Sequence, residues 1–202
     1  MAGVLLFGGS FDPIHHGHLI VARSAAEALG VARVVLIPSA SPPHKQGVTL
    51  TAAGLRLEMC RAAVAGDGLF EVSDWETRQS GPNYTLLTVR HFRSEWPDDE
   101  LYWLIGMDSL AELHTWYRAG ELADACTLVA AGRPGSPRPS RSELERFLTP
   151  EQAARIEQHI LSTPLIEISA TDIRARVRAG RDIRYLVPEA VREYIATHRL
   201  YR

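Results

Sequence analysis

Residues 4–19 constrain the fold of this chain more than any other stretch. The run begins with four aliphatic or aromatic residues, and such a run ended by glycine predicts a strand buried on both faces. Gly8 and Gly9 then allow a tight turn and a close approach of the backbone to a ligand. A helix is predicted to follow, from about residue 17 to residue 29. A strand, a glycine turn and a helix start in this order predict a phosphate site, because the positive end of the helix faces the turn.

Histidines stand where the predicted helix begins. His15 and His18 are three positions apart in the sequence, so they share one face of a helix start. Imidazoles beside a helix N-terminus suit donation to phosphate oxygens, whereas two helical zinc ligands usually stand four apart. Two alternatives remain open for this cluster, namely a loop without function and a metal site.

Strands and helices alternate along the rest of the chain, which favours a parallel sheet. Further strands are predicted at residues 33–38, 70–73, 101–106, 127–131 and 165–168. Further helices are predicted at residues 51–65 and 85–96, as a short helix between residues 109 and 116, after residue 117 as far as 125, as helical segments within 142–159, and at 170–179 and 188–197. Thr51 is expected to cap the first of these helices. A stretch rich in proline, serine and arginine, residues 132–142, is expected to form a mobile excursion.

Length and composition narrow the class of protein. A chain of 202 residues predicts one domain, 1–202, or one domain with a small appended part. The net charge of −2 gives no reason to expect a nucleic-acid partner. No apolar run approaches the roughly 20 residues of a membrane span, and no signal peptide is recognised at the N-terminus. Cys60 and Cys126 lie in apolar contexts, which predicts buried free thiols in a reducing compartment. Together, these features lead us to expect a cytoplasmic protein without a membrane partner.

Polar clusters recur at the carboxyl ends of the predicted strands. They occupy residues 8–18, 39–45, 106–109 and 169–174. Ligands of open α/β sheets bind outside these strand ends, so the convergence predicts one site. Taken singly, residues of these clusters and Trp116 have ordinary alternatives. These are a solvated loop lysine for Lys45, helix caps for Asp108 and Ser169, a core position for Trp116 and a solvated helix position for Arg174.

Three common nucleotide and hydrolase motifs are missing from the sequence. There is no G-x-x-x-x-G-K-[ST] run, and no G-x-G-x-x-G follows the first predicted strand. A P-loop enzyme and a dinucleotide-dependent dehydrogenase are therefore poorly supported. No G-x-S-x-G occurs either, which argues against the usual hydrolase elbow.

Two separated motifs resemble those of a known family. The run G-G-S-F-D-P-I-H-H-G-H at residues 8–18 is similar to the signature of the nucleotidylyltransferase superfamily, and of bacterial nicotinate-nucleotide adenylyltransferases in particular. The second signature, I-S-x-x-x-x-R, is matched at residues 168–174. The resemblance covers nearly the whole chain. It implies a Rossmann-like, doubly wound α/β fold with a mostly parallel sheet, helices on both faces and a helical C-terminal part at residues 168–202.

The resemblance also implies a reaction, in which the 5′-phosphate of nicotinate mononucleotide attacks the α-phosphorus of ATP. Deamido-NAD and pyrophosphate form, in a step of NAD biosynthesis. The attacking phosphate is already an anion near pH 7, so catalysis reduces to bringing two anions together and stabilising charge. The implied partners are ATP and nicotinate mononucleotide, with Mg²⁺ accompanying ATP. The oligomeric state is open, and a homo-oligomer is compatible with the sequence.

Site roles follow from the same match. The implied catalytic residues are His15, His18, Lys45 and Arg174, with His18 favoured for the transition state. The implied ATP contacts are Gly8, Gly9, Ser10, His18, Gly106, Asp108, Arg133, Ser169 and Arg174. The implied contacts to the nicotinate nucleotide are Gly9, Ser10, Phe11, His15, Lys45, Thr85, Trp116 and Tyr117. Asp12 is the carboxylate nearest to a Mg²⁺ that phosphates and water would mostly hold; His16 has no assigned role.

Alternative activities stay open within and beyond this family. A nicotinamide-mononucleotide or pantetheine-phosphate adenylyltransferase would share the fold, and so would a non-catalytic nucleotide-binding regulator. Preference for nicotinate needs donors near its carboxylate. Thr85 begins a predicted helix whose first N–H groups could supply them, and no lysine or arginine occurs within residues 83–89.

Overall fold

A computed structural model describes residues 3–43, 47, 49–132, 135 and 137–202. Its strands in this part of the chain are β1 (Gly3–Gly9), β2 (Arg33–Pro38), β3 (Phe70–Val72), β4 (Glu100–Gly106), β5 (Thr127–Ala131) and β6 (Ile160–Leu161). They form one sheet in the order β3-β2-β1-β4-β5-β6, and every neighbouring pair is parallel. This order confirms the predicted Rossmann-like α/β architecture.

Helices connect the strands and follow the last of them. They are α1 (His16–Leu29), α2 (Ala53–Val64), α3 (Thr85–Glu95), α4 (Met107–Ala111), α5 (Ala119–Ala125), α6 (Arg141–Leu144), α7 (Pro150–Gln158), α8 (Ala170–Arg178) and α9 (Glu189–Thr197). Single 3-10 turns occupy Glu76–Arg78 and Leu113–Thr115. Among the described residues, no helix combines the length and the apolar character that crossing a bilayer would need.

Both faces of the sheet are apolar because alternate residues of each strand point to opposite sides. In β1, Val4 and Leu6 belong to one buried cluster and Leu5 belongs to the other. The first cluster continues into α3–α7, and the second continues into α1, α2, α8 and α9. Two buried faces explain why the strands are continuous hydrophobic runs, and they confirm the doubly wound prediction.

One predicted strand is wrong. Residues 165–168 were expected to pair with the sheet, but the edge strand is β6, whose Ile160 and Leu161 pair with the end of β5. In the segment at residues 165–168, Ile166 instead packs beside Gly17, and Ile168 packs against the second apolar cluster. Its alternating pattern is therefore produced by packing against α1 and not by strand pairing.

The predicted cap of α2 is also wrong. The N-cap residue is Ala52, and it makes no side-chain capping bond. Thr51 lies one residue earlier, and its backbone N–H donates to the Asp12 carboxylate at 3.1 Å. The contact was not foreseen because Asp12 is 39 residues away in sequence. The excursion expected at residues 132–142 lies partly outside the described residues.

The sheet order sets the position of the site. β1 lies between β2 and β4, so the chain runs outward from β1 in both directions. A crevice forms at the carboxyl ends of the strands where such an order reverses, and ligands of open α/β sheets bind there. Gly9 ends β1 opposite Pro38 of β2, and Gly106 ends β4 opposite Ala131 of β5.

Candidate active site

The two signature motifs meet at this edge of the sheet. Arg174 on α8 donates through Nη1 to the backbone oxygen of Asp12 at 2.7 Å, across 162 residues of sequence. Its Nη2 donates to Oγ1 of Thr171 at 3.2 Å. Ser169 is the N-cap of α8, and its hydroxyl accepts the Asp172 N–H at 3.1 Å. The predicted convergence of residues 8–18 and 169–174 is confirmed by these contacts.

His15 and His18 are stacked on each other. Their ring centroids are 3.6 Å apart, with an interplanar angle of 22°. The His15 backbone N–H donates to Nδ1 of His18 at 3.3 Å. Because this Nδ1 accepts, the neutral His18 ring carries its proton on Nε2, which is then a donor. The Phe7 and Phe11 rings both pack edge-to-face with the His18 ring, at centroid distances of 6.0 and 5.1 Å.

Glycines in this segment make room for aromatic rings. A Cβ at Gly8 would lie 2.6 Å from Cζ2 of Trp103, and one at Gly9 would lie 3.0 Å from the Phe11 ring. A Cβ at Gly17 would lie 3.1 Å from Nδ1 and Cε1 of His15. A side chain at Gly17, between His16 and His18, would therefore press on the His15 ring.

The start of α1 offers fewer backbone donors than the sequence predicts. The His16 N–H donates to the Leu186 backbone oxygen at 3.0 Å, and the His18 N–H donates to the His15 oxygen at 3.0 Å. A loop from the C-terminal part thus covers one of the groups that phosphate was expected to use. Donors for a phosphate here come more from side chains than from the helix start.

Asp12 is a buried hub of the turn between β1 and α1. Its side chain is 3% exposed, its Oδ2 accepts the Thr51 N–H, and its Oδ1 accepts the Tyr201 hydroxyl at 2.7 Å. Arg56 is 1% exposed and donates to the backbone oxygens of Ser10 at 2.5 Å and Thr51 at 2.7 Å. Burial lowers the pKa of Arg56, and the Asp12 carboxylate opposes this shift.

These contacts bear on the expected metal. Both carboxylate oxygens of Asp12 already accept hydrogen bonds from the protein. In the parts of the chain that the structure describes, no group of three or more histidine, cysteine, aspartate or glutamate side chains is arranged to hold a metal ion. The described residues therefore do not form a metal cage, and contact between Asp12 and Mg²⁺ stays a prediction.

The end of β4 brings another predicted cluster to the crevice. Gly106 precedes α4 as its N-cap, and Asp108 lies in the first turn of that helix. A Cβ at Gly106 would collide with the Asp108 carboxylate, so a larger residue here would displace this side chain. Lys45 and Arg133, which were also predicted in the site, lie outside the described residues.

The start of α3 lies beside the predicted ring-binding residues. The Tyr84 ring stacks on the Tyr117 ring with centroids 4.5 Å apart, which joins the segment before Thr85 to residues 116–117. Trp116 is half-buried and packs against the first apolar cluster. Among the described residues, the backbone N–H groups of Thr85 and Leu86 have no acceptor, as is usual in a first helical turn.

A buried polar network supports this helix start. Asn83 Oδ1 accepts the Ser39 hydroxyl at 3.0 Å and the Ser41 N–H at 2.7 Å, and its Nδ2 donates to the Glu76 backbone oxygen at 3.2 Å. The Thr88 hydroxyl donates to Oε1 of Glu76 at 2.6 Å. Burial raises the pKa of Glu76 to about 7, against the effect of hydrogen bonds from Thr88 and Ser39. The loop after β2 is thereby fixed to α3.

Three residues of these networks were not found from the sequence, namely Arg56, Glu76 and Tyr201. Charged residues within predicted helices and turns are usually solvated, and nothing local marks the ones that are buried. For Arg56, the apolar neighbours Leu57, Met59 and Cys60 are the one available signal, and it does not identify a partner. Cys60 and Cys126 are buried and free, as predicted.

Comparison with known proteins agrees with the motifs. The cytidylyltransferase-like family matches residues 6–176. A relative from Thermomicrobium roseum is 44% identical over 202 residues, which cover 100% of this chain and 92% of that protein. A relative from Exiguobacterium sibiricum is 44% identical over 196 residues, which cover 97% of both chains. Both carry the name "Probable nicotinate-nucleotide adenylyltransferase".

Solved structures share the fold. The Plasmodium falciparum nicotinic acid mononucleotide adenylyltransferase complexed with NaAD superposes with a TM-score of 0.78 at 17% identity, covering 100% of this chain and 98% of the other. Its complex with APC gives a TM-score of 0.77 at 18% identity, with the same coverage. At this identity the likeness concerns the fold. With the family match and the full-length relatives, it follows that the chain belongs to the cytidylyltransferase-like family and groups with the proteins named nicotinate-nucleotide adenylyltransferases.

Proposed function

We propose that this protein transfers the adenylyl group of ATP to nicotinate mononucleotide, giving deamido-NAD and pyrophosphate. The observation that carries the proposal is the contact of Arg174 with Asp12, which joins the two signature motifs at the switch point of the sheet. Full-length relatives at 44% identity that are named for this activity support it. We further propose that residues 1–202 act as one catalytic domain in the cytoplasm.

The chemistry is a single displacement at phosphorus. An oxygen of the mononucleotide phosphate forms a bond to the α-phosphorus of ATP, and the bond from that phosphorus to the bridging oxygen of pyrophosphate breaks. The nucleophile is already deprotonated, so no base has to remove a proton. The protein has to align two anions and to place donors where charge develops.

The described residues suit these tasks. We assign the Nε2–H of His18 to the transferring phosphate, because the Nδ1 of this ring is occupied by the His15 N–H. His15, stacked on it, is assigned to the reacting phosphates. Arg174 is assigned to the outer phosphates of ATP, because its guanidinium is fixed beside the turn by Asp12. The backbone of Gly9 and Ser10 would lie close to both substrates.

The remaining assignments come from the resemblance. Lys45 would neutralise phosphate, and Arg133 would cover the nucleotide. Asp108 would bind the ribose of ATP, next to Gly106 at the end of β4. Ser169 would contact phosphate in addition to capping α8.

We propose Mg²⁺ as the accompanying metal, bound to ATP as part of the substrate. Nucleotidyltransferases generally use a divalent metal. Because the described residues form no cage for it, the phosphates and water would supply most of its ligands. When bound, the ion neutralises phosphate charge, and no step assigned to a side chain depends on it.

Nicotinate would bind at the start of α3. Its carboxylate would accept from the N–H groups of Thr85 and Leu86, at the positive end of an eleven-residue helix. Trp116 would offer a flat face to the pyridine ring, and the backbone of Tyr117 a further donor. The stacking of Tyr84 on Tyr117 holds these elements together.

The test is a substrate panel. The purified protein is incubated with ATP and Mg²⁺ together with nicotinate mononucleotide, nicotinamide mononucleotide or phosphopantetheine, and pyrophosphate release and product mass are measured. We expect deamido-NAD and an equal amount of pyrophosphate with nicotinate mononucleotide. Dephospho-coenzyme A as the main product would favour the pantetheine branch. Binding of ATP without turnover of any acceptor would favour a regulator.

A further inference from the structure

We propose that Tyr201 is a positioning residue of the active site, which holds the turn at residues 10–12 through the Asp12 carboxylate. The kinetic part of this inference rests on the proposed function. Tyr201 and Asp12 are 189 residues apart in sequence, and the hydroxyl donates to Oδ1 at 2.7 Å. The second carboxylate oxygen accepts the Thr51 N–H, and the backbone oxygen accepts Arg174. Asp12 thus joins the catalytic arginine to Tyr201.

The turn that these contacts hold contains a strained residue. Phe11 has φ = 44°, in the left-handed region that bulky side chains avoid. Such a conformation persists where its surroundings determine it on both sides. Ser10 before it is held by the buried Arg56, and Asp12 after it is held by Tyr201 and Thr51.

Phe11 connects the turn to the catalytic ring. Its ring packs edge-on against His18, with centroids 5.1 Å apart, and against Phe7 at 5.4 Å. A shift of Asp12 therefore moves Phe11, and a shift of Phe11 moves the surface on which His18 rests. This is the path by which a hydroxyl outside the substrate site affects the position of the catalytic imidazole.

The segment after α9 folds back towards α2 and places the Tyr201 hydroxyl beside Asp12. Arg199 has φ = 51° and Tyr201 has φ = 64°, two left-handed residues that turn the chain back after the helix. The Leu200 N–H donates to the Ile195 oxygen at 3.0 Å. The Tyr201 hydroxyl also lies 4.0 Å from Sδ of the buried Met59. Burial, followed by the Asp12 carboxylate, raises the pKa of Tyr201, so the phenol remains a donor at neutral pH.

The first test is Tyr201→Phe, which deletes one oxygen. We expect kcat to fall about tenfold, because small misplacements of catalytic groups are costly, while both KM values change less than about twofold. Tyr185→Phe is the matched control, since Tyr185 is 83% exposed. Met59→Leu is the packing control, because it alters another neighbour of the same hydroxyl without touching Asp12. Rates are measured at 10 °C per folded molecule, so a loss of stability alone does not register.

A double-mutant cycle separates positioning through Asp12 from any other effect. If Tyr201 acts through Asp12, then Tyr201→Phe slows the Asp12→Ala enzyme less than about twofold further. Asp12→Ala already lacks the acceptor of the Tyr201 hydroxyl, whereas asparagine would keep one. The proposal would be overturned if the fold-losses in kcat of the two single variants multiply in the double variant. It would also be overturned if kcat is unchanged in the folded Tyr201→Phe protein.

A readout without substrate keeps this inference separable from the proposed function. The Cε1–H signals of His15 and His18, assigned with His15→Gln and His18→Gln, are compared by NMR in the free proteins. We expect them to shift in Tyr201→Phe and to stay in place in Tyr185→Phe and Met59→Leu. If the wild-type protein is inactive but Tyr201→Phe still shifts the histidine signals, the proposed function is refuted and the positioning role is not. Unshifted histidine signals in Tyr201→Phe would refute the positioning role.

Discussion

Two buried carboxyl groups lie beside the two halves of the candidate site, and they are held in different ways. The phosphate half contains His15, His18 and Arg174, and the ring half contains Thr85, Trp116 and Tyr117. Asp12, beside the phosphate half, accepts a backbone N–H and a phenol and has the guanidinium of Arg56 as an electrostatic neighbour. Glu76, beside the ring half, accepts hydroxyl groups, and burial raises its pKa to about 7. The first carboxyl is surrounded by fixed donors and a cation, whereas the second is surrounded by neutral groups.

This difference matches what each half has to bind. In the proposed reaction the phosphate half aligns anions, and Arg174 and the stacked imidazoles assigned to this task are held by contacts with the turn after β1. In the proposed function the ring half accepts the nicotinate carboxylate at the start of α3, and a negative charge near that helix start would oppose it. A carboxyl group that can be neutral near pH 7 reduces this opposition.

The largest effect is expected for His18→Ala in the phosphate half. Loss of a transition-state donor lowers kcat by roughly 10²–10³ or more while the fold is retained. His16→Ala, two residues away, is the control, and it should change kcat less than about twofold, as expected for a residue without a direct role. Steady-state kinetics with circular dichroism check both variants. Near-wild-type turnover of folded His18→Ala would remove its assigned role.

Arg174→Ala should act mainly on ATP. Charge-assisted hydrogen bonds contribute about 1.5–3 kcal/mol each, so kcat/KM for ATP should fall roughly 10- to 100-fold, with a smaller change for the mononucleotide. Arg178→Ala on the exposed part of the same helix is the matched control. Varying ATP at saturating mononucleotide gives the measurement. If both variants have wild-type ATP kinetics, Arg174 does not belong to the site.

Glu76 should make folding stability depend on pH. Its pKa rises from the ordinary 4.5 to about 7 in the folded state, so the folded state binds the proton more tightly. The stabilisation is fully present below about pH 4.5 and is lost as pH rises through 7. The linked free energy is about 3 kcal/mol. Urea unfolding from pH 5 to 8 should show this decline in wild type and Glu193→Gln, and a flatter profile in Glu76→Gln. Equal slopes in all three would contradict the raised pKa.

A smaller effect is expected on substrate preference. As Glu76 ionises above pH 7, the ratio of kcat/KM for nicotinate mononucleotide to that for nicotinamide mononucleotide should decline several-fold. Both mononucleotides carry the same phosphate, so its own titration cancels in the ratio. The measurement is the ratio from pH 6.5 to 8.5 in wild type and in Glu76→Gln, where it should be flat. A decline of equal size in Glu76→Gln would assign it to another group.

Much of the fold follows from the sequence because the strands and helices have strong local patterns. β2 and β5 have the predicted bounds, and α1 starts one residue before the predicted position. The strand expected at residues 165–168 fails because its pattern is also that of a segment packed on α1. Alternation alone does not separate these two environments, since in both cases every second side chain is shielded from water, and Ile166 and Ile168 are half-buried.

The site divides in the same way. The convergence of His15, His18 and Arg174 could be predicted because they belong to motifs with a fixed spacing, while their catalytic roles stay a prediction. Arg56, Glu76 and Tyr201 were not found, since their roles depend on partners 46, 12 and 189 residues away in sequence. Buried polar residues such as these are recognised when the tertiary contacts are known, because a sequence pattern does not indicate which polar residue packs against which turn.

Competition between the two mononucleotides tests the central claim most directly. Equal amounts of nicotinate and nicotinamide mononucleotide are offered to the wild-type protein at pH 7 with limiting ATP and Mg²⁺, and deamido-NAD and NAD are counted by mass. A helix start contributes about 0.3–2 kcal/mol and each charge-assisted hydrogen bond about 1.5–3 kcal/mol, so deamido-NAD should exceed NAD by on the order of a hundredfold. Equal products, or an excess of NAD, would contradict an acid-binding site at the start of α3.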